Sequence, residues 1–203
     1  MRLSDAISFV RARMDEIAFE QGDMIPVAQD DRNLDNTIGQ LLPEAVRVVV
    51  LAAPAHLLEP EDIKTLTDVY GSVEIVFSDV FLRLVYAKAS DSTVYLSSAV
   101  PFNSPQGRMQ DNEYVKGTPD APVLVQLPKR TYETRFKYYS VGQEHGTLEM
   151  AYIKTPVLTD GEVFCPGLLE DAVYNELTAM VLEVYNDQRS QLFHQKVTTY
   201  LAQ

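Results

Sequence analysis

Three histidines and one cysteine are the residues of this chain best suited to metal binding or nucleophilic catalysis. His56, His145 and His194 lie far apart in the sequence, and no two have the short spacing of a metal-binding motif. Cys165 directly precedes a proline, where a small apolar residue is the favoured interpretation and a nucleophile the weaker one. An enzyme that assembles its site from distant residues, such as His56 and His145 with a carboxylate, ranks as the third hypothesis.

Adjacent carboxylates are the other candidates for chemistry, because a glycosidase places two of them across a cleft. They occur at Asp30-Asp31, over residues 59–62 and at Glu170-Asp171, which the sequence assigns to turns or helix starts. Carboxylates in such positions stabilise a helix as caps or through its dipole. The sequence has no phosphate-binding glycine loop, no Gly-x-Ser-x-Gly elbow and no calcium loop. We therefore predict no catalytic residue, no metal site and no cofactor.

The composition is that of a globular protein with an acidic surface. Of the 203 residues, 46% are hydrophobic and 23% charged, and the net charge is −12, which disfavours tight binding to nucleic acid. An acidic wall is nevertheless compatible with DNA that passes without attaching, because like charges repel. A single cysteine excludes an internal disulfide and favours a reducing compartment. The longest apolar run, residues 48–53, is too short to span a membrane, and residues 1–5 lead into an amphipathic pattern, so we expect no export signal.

Apolar residues at spacings of three and four predict two helices near the N-terminus. The first has Ser4 as its N-cap and ends near Gln21. The second covers residues 34–53, with a kink or restart expected at Pro43, because proline removes an amide donor and clashes one turn back.

Branched and aromatic residues predict strands in the middle of the chain. The stretches of this kind are residues 73–77, 81–87, 93–96, 123–127, 132–139 and 148–153. Their links are too short for helical crossovers, so we expect one mostly antiparallel sheet of about five strands. Residues 101–122, rich in Pro and Gly, predict a long irregular excursion. Helical periodicity then returns over residues 169–184 and 192–201.

These elements predict an α+β fold. The helical core comes from the N- and C-terminal helices, and an antiparallel β-rich subdomain is inserted between them. The predicted core is residues 1–66 and 160–203, and the predicted insert is residues 67–159.

Aromatic residues are concentrated in the predicted strand over residues 132–139. Tyr132, Phe136 and Tyr138 are candidates for an interface on the insert, because tyrosine offers apolar area with a polar tip. The alternatives are a small-ligand or carbohydrate-binding module built on the same strand, and an ordinary sheet face packed against a helix.

The order of these segments resembles a family of tailed-phage head–tail adaptor (neck ring) proteins, including those of crAss-like phages of gut bacteria. The segments that carry the resemblance are residues 7–19, 34–47, 51–54, 79–85, 114–123 and 168–174. The family often has Leu-Pro before the strand at 79–85, where this chain has Phe77-Ser78. The similarity covers most of the chain without a diagnostic motif.

The resemblance implies a structural virion protein that is not an enzyme. Such proteins form a homo-oligomeric ring, commonly of twelve copies, that is assembled in the host cytoplasm and docks under the portal protein. The ring extends the DNA channel and seats the next neck or tail protein. On this hypothesis the C-terminal stripe inserts into a groove of the portal or of a neighbouring copy, because an amphipathic chain end needs a partner. Its residues are Leu192, Phe193, Val197, Tyr200 and Leu201.

Overall fold

The computed structural model describes residues 1–21, 31–69, 71–78, 80–112, 114–130, 133–139 and 146–202. The fold class is α+β, with helices at both chain ends and strands between them, which confirms the prediction. The chain divides into two compact units. The helical unit joins residues 1–58 with residues 156–203, and the β unit is residues 59–155.

The elements follow one another along the chain as α1 (Leu3–Gln21), α2 (Asp31–Ala52), β1 (Asp62–Val69), β2 (Ser72–Phe77), β3 (Phe81–Ala89), β4 (Val100–Pro101), α3 (Pro105–Met109), β5 (Val123–Gln126), β6 (Thr134–Tyr139), β7 (Gly146–Lys154), α4 (Glu170–Val184) and α5 (Ser190–Leu201). Single 3₁₀ turns occur at Ala55–Leu57 and Gly167–Leu169. The β unit begins eight residues before the predicted insert, because β1 belongs to it.

The two N-terminal helices lie close to their predicted positions. Helix α1 begins at Leu3, so Ser4 lies inside it and donates its hydroxyl to Asp5 instead of capping the helix. Helix α2 continues through Pro43 without a restart. Its buried residues Ile38, Leu42 and Val46 share one face, and packing of that face offsets the backbone hydrogen bond that proline removes.

Residues from both ends of the chain form the core of the helical unit. Helix α4 packs against α1, α2 and α5, and Phe9 of α1 stacks on Tyr174 of α4 with ring centroids 4.5 Å apart. The Leu3 amide donates to the Gly161 carbonyl at 2.8 Å, and the Val163 amide donates to the Met1 carbonyl at 3.0 Å. The start of the chain is therefore fixed to the segment that follows the β unit.

The β unit has two sheets where the sequence predicts one. The first has the order β1-β7-β3, with both pairings antiparallel. The second has the order β2-β6-β5-β4, and its β4–β5 pair is parallel. Of the predicted strand at 93–96, only Leu96 pairs, through an isolated bridge to Ala87. The elements β1, β4 and α3 were not predicted.

The two sheets share one hydrophobic core. Phe77 lies at its centre, with its ring centroid 4.8 Å from Tyr152 of the first sheet and 6.0 Å from Phe136 of the second. Edge-to-face pairs of this kind contribute beyond the area that they bury. The core therefore uses inward-facing aromatic residues of β2, β6 and β7.

Candidate functional site

The residues suited to catalysis do not come together in the described part of the chain. His56 is exposed in the 3₁₀ turn after α2, and His145 lies outside the described residues. Cys165 is buried, with its Sγ 3.5 Å from the Pro166 carbonyl oxygen. Among the described residues, no group of three or more His, Cys, Asp or Glu side chains has the geometry to hold a metal ion.

His194 of α5 contacts two glutamates of α4. Its Nδ1 is 2.9 Å from Glu176 Oε2, and its Nε2 is 2.9 Å from Glu183 Oε1. Burial lowers the pKa of His194, but the hydrogen bonds to Glu183 and Glu176 outweigh it, and the net shift is upward from 6.5. A doubly protonated ring can donate to both carboxylates at once, whereas a neutral ring has one N–H. His194 joins α5 to α4, and in its protonated form it can donate to both carboxylates.

The predicted C-terminal interface is corrected for two of its five residues. Phe193 and Val197 are buried, and Phe193 packs with Ala179 and Leu182 of α4. Phe193 and Val197 are thus part of the core of the helical unit and are not available to a partner. The other three remain accessible: Leu192 is 52% exposed, Leu201 is half-buried, and the Tyr200 hydroxyl donates to the Leu168 carbonyl at 2.6 Å.

The predicted interface on the insert is also corrected. Phe136 and Tyr138 are buried in the core of the β unit, and burial raises the pKa of the Tyr138 phenol. Tyr132 lies outside the described residues. The register of β6 explains the burial, since alternate residues of a strand face opposite sides of the sheet. The outer face of β6 instead carries Arg135 and Lys137.

A groove on the outer face of the second sheet is the candidate site. Its volume is about 460 Å³, and α3 with its flanking residues forms one wall. The floor consists of Val125 and Leu127 from the β5 region and Lys137 and Tyr139 from β6. Phe102 lines the groove and is 47% exposed, so the groove presents apolar surface to solvent.

The α3 wall is held firmly against the sheet. Ser104 caps α3, since its Oγ accepts from the Gly107 amide at 3.0 Å and donates to the Pro101 carbonyl at 2.7 Å. Pro105 occupies the first turn, where its missing amide costs nothing. A Cβ at Gly107 would lie 2.4 Å from the Pro101 oxygen, so only glycine permits this approach.

The segment after α3 is anchored by a buried amide. Gln110 is 4% exposed, its Oε1 accepts from the Gly117 amide at 2.7 Å, and its Nε2 donates to the Gln106 carbonyl at 3.1 Å. A Cβ at Gly117 would lie 3.0 Å from the backbone carbonyl oxygen of Tyr139. Four residues of the predicted irregular excursion therefore line the groove: Phe102, Gly107, Arg108 and Asp111. The Ser104-Pro105 pair, an N-cap followed by a first-turn proline, was the sequence signal for α3.

The groove carries charged side chains beside its apolar residues. The Arg135 Nε donates to Glu74 Oε1 at 2.7 Å, so these two charges are paired. The Lys137 ammonium lies 4.8 Å from the centre of the Tyr139 ring, a cation–π contact. Arg108 and Asp111 are exposed on the α3 side of the groove. The groove thus combines cations, two carboxylates and apolar area, which are groups that recognise a partner.

Comparison with protein-family models gives no match, and comparison with curated proteins gives no significant match. Within the described residues, none of the helices has both the length and the apolar character needed to span a bilayer.

Proposed function

We propose that the protein is a structural component of a tailed-phage virion, a head-to-tail adaptor. Assembled as a ring of copies in the host cytoplasm, it docks on the portal protein in the neck, extends the DNA channel and seats the next tail component. The observation that carries the proposal is the helical unit built from both chain ends, with the β unit inserted between them. This is the arrangement that the resemblance to adaptor proteins implies.

The charge distribution supports the same proposal. The helical unit has 7 basic and 16 acidic residues, a net charge of −9, whereas the β unit has 10 and 13, a net charge of −3. An acidic helical wall repels the phosphate backbone and lets DNA pass without binding it.

The ligand-binding alternative was based on Tyr132, Phe136 and Tyr138, of which Tyr132 lies outside the described residues. Phe136 and Tyr138 lie in the core of the β unit, where no carbohydrate or small molecule reaches them. The adaptor proposal does not depend on these two side chains.

The test is co-assembly with the portal protein. The full chain is mixed with purified portal rings and examined by native mass spectrometry and negative-stain electron microscopy. We expect a complex with a fixed ratio of chain to portal subunit and an added ring in the images. Free portal and free chain at all ratios would refute the proposal.

A substitution asks whether α5 takes part in docking. Leu192→Glu places a charge on a side chain that is 52% exposed, and Gln191→Glu, at the exposed neighbour, is the charge-matched control. We expect Leu192→Glu to weaken docking at least tenfold relative to Gln191→Glu. Equal docking of the two variants would remove α5 from the interface. Deletion of residues 190–203 is no substitute, because it removes Phe193 and Val197 from the helical core.

A further inference from the structure

The groove carries positive charges that make no ion pair with the described residues. Arg108 and Lys137 line it, and among the described residues neither has a carboxylate within ion-pair distance. Arg135, on the same face of the sheet, is paired with Glu74, and Asp111 is the other acidic residue of the lining. With three basic and two acidic residues, this face is slightly positive on a chain whose net charge is −12. A protein surface of this kind attracts an acidic partner.

The segment over residues 160–171 of the helical unit carries acidic residues and exposed apolar side chains. It contains Asp160, Glu162, Glu170 and Asp171, and of these Glu162 pairs with Arg2. The apolar residues Phe164 and Leu168 are 36% and 52% exposed between these acids. We call this the acidic surface.

We propose that the groove of one copy binds the acidic surface of a second copy. The cations Arg108 and Lys137 meet the carboxylates, and Phe102 and Leu127 bury apolar area against Leu168. Polar rims around an apolar centre are usual for such interfaces. Because the two surfaces differ, the contact is head-to-tail and leaves a groove and an acidic surface open at the two ends of each pair. Such a contact propagates and closes into a ring when the rotation between copies allows it.

The inference rests on the proposed function for its self-association and names the surfaces involved. Sedimentation equilibrium on the full chain at physiological ionic strength tests it. We expect wild type to associate, and Arg108→Glu to raise the dissociation constant at least tenfold. Lys116→Glu, an equal charge change at another exposed cation of the β unit, is the control. Wild type that stays monomeric at its highest attainable concentration, or equal association of the two variants, would overturn the inference.

A mixing experiment identifies the second surface. Asp171→Lys breaks the acidic surface and keeps the groove, whereas Arg108→Glu does the reverse. We expect each variant alone to be monomeric and their equimolar mixture to form one-to-one dimers, because one intact groove then meets one intact acidic surface. Asp120→Lys, at an exposed acid of the β unit, is the control and should associate as wild type does.

Leu168→Ser replaces Asp171→Lys if circular dichroism shows that the latter is unfolded. A mixture that contains only monomers would overturn the head-to-tail contact. The portal experiment remains separate: a chain that is monomeric alone yet docks on the portal refutes this inference and keeps the adaptor proposal. A chain that self-associates through the groove but does not bind the portal refutes the adaptor proposal and keeps this inference.

Discussion

Gly107 determines how closely α3 approaches the edge of the second sheet. A Cβ at this position would lie 2.4 Å from the Pro101 carbonyl oxygen and 3.0 Å from the Phe102 carbonyl oxygen. Both obstacles are backbone atoms, which cannot rotate aside as a side chain would. The width of the groove therefore depends on the absence of a single methyl group.

We expect Gly107→Ala to lower the free energy of unfolding of the β unit by about 1–3 kcal/mol, the usual cost of overpacking. Gly39→Ala is the matched control. Gly39 lies inside α2, and a Cβ there would be 3.7 Å from the Leu3 side chain, which is an ordinary van der Waals contact. It should raise stability by about 0.5–1 kcal/mol, since alanine is the better helix former. Urea denaturation of both variants measures the two effects, and a neutral Gly107→Ala would show that α3 is free to move away.

His194 makes the stability of the helical unit depend on pH. The pKa of His194 is raised in the folded chain, so the proton binds more tightly there than in the unfolded chain. Its contribution is fully present below the unfolded value of 6.5 and is lost as pH rises through the higher folded value. We expect wild type to exceed His194→Gln in thermal stability at pH 6 and to lose that advantage towards pH 9.

The measurement is a series of melting curves for both proteins across that pH range. His56→Gln is the control, because His56 is exposed in a turn and should leave the pH dependence unchanged. A constant difference between wild type and His194→Gln at every pH would show that the ring acts by packing alone.

At the scale of elements, periodicity predicts what an element is better than it predicts which face is buried. Ile38, Leu42 and Leu177 lie on the apolar sides of the helices predicted at 34–53 and 169–184, and all three are buried, because a 3.6-residue repeat has one apolar side. In β6 both faces carry large side chains, aromatic at Phe136 and Tyr138 and basic at Arg135 and Lys137. The aromatic face is buried because a second sheet covers it, and that sheet is a long-range pairing that local sequence does not encode.

The missed elements have the same physical explanation. β1 has branched residues at Ile63, Thr65 and Thr67, a pattern typical of a strand, but these are exposed and its apolar content is low. Its pairing with β7 joins residues that are 77 to 90 positions apart. β4 has only two residues, and it is recognised as a strand only through its parallel pairing with β5. The candidate groove was unpredictable for this reason, since it needs β4, α3 and the outer face of β6 together.

Two adjacent residues of α5 differ in burial, because one faces α4 and the other faces solvent. Phe193 is 2% exposed and Leu192 is 52% exposed. We expect Phe193→Ala to cost about 3–5 kcal/mol of folding free energy, because it leaves a cavity under α5. Leu192→Ala should change stability by less than about 0.5 kcal/mol. Denaturant titration of both variants measures this, and comparable losses would contradict the packing of α5 on α4.

At the scale of the whole molecule, the chain enters and leaves the β unit at neighbouring points. The Glu61 amide donates to the Tyr152 carbonyl at 3.1 Å, and the Lys154 amide donates to Glu61 Oε2 at 2.9 Å. The Lys154 ammonium also lies 3.0 Å from Asp62 Oδ2, and this contact lowers the pKa of Asp62. Inserted domains commonly have their ends close together in this way.

We therefore expect residues 59–155 to fold as an isolated polypeptide. The fragment keeps both sheets, their shared core and the pairing that joins its two ends, so it should give a β-type circular dichroism spectrum and one cooperative thermal transition. A fragment of residues 67–159, the insert as the sequence alone would delimit it, is the control. It loses five residues of β1, including Asp62, and leaves β7 as a bare edge. It should aggregate or melt at a lower temperature, and equal behaviour of the two fragments would show that β1 is dispensable to the β unit.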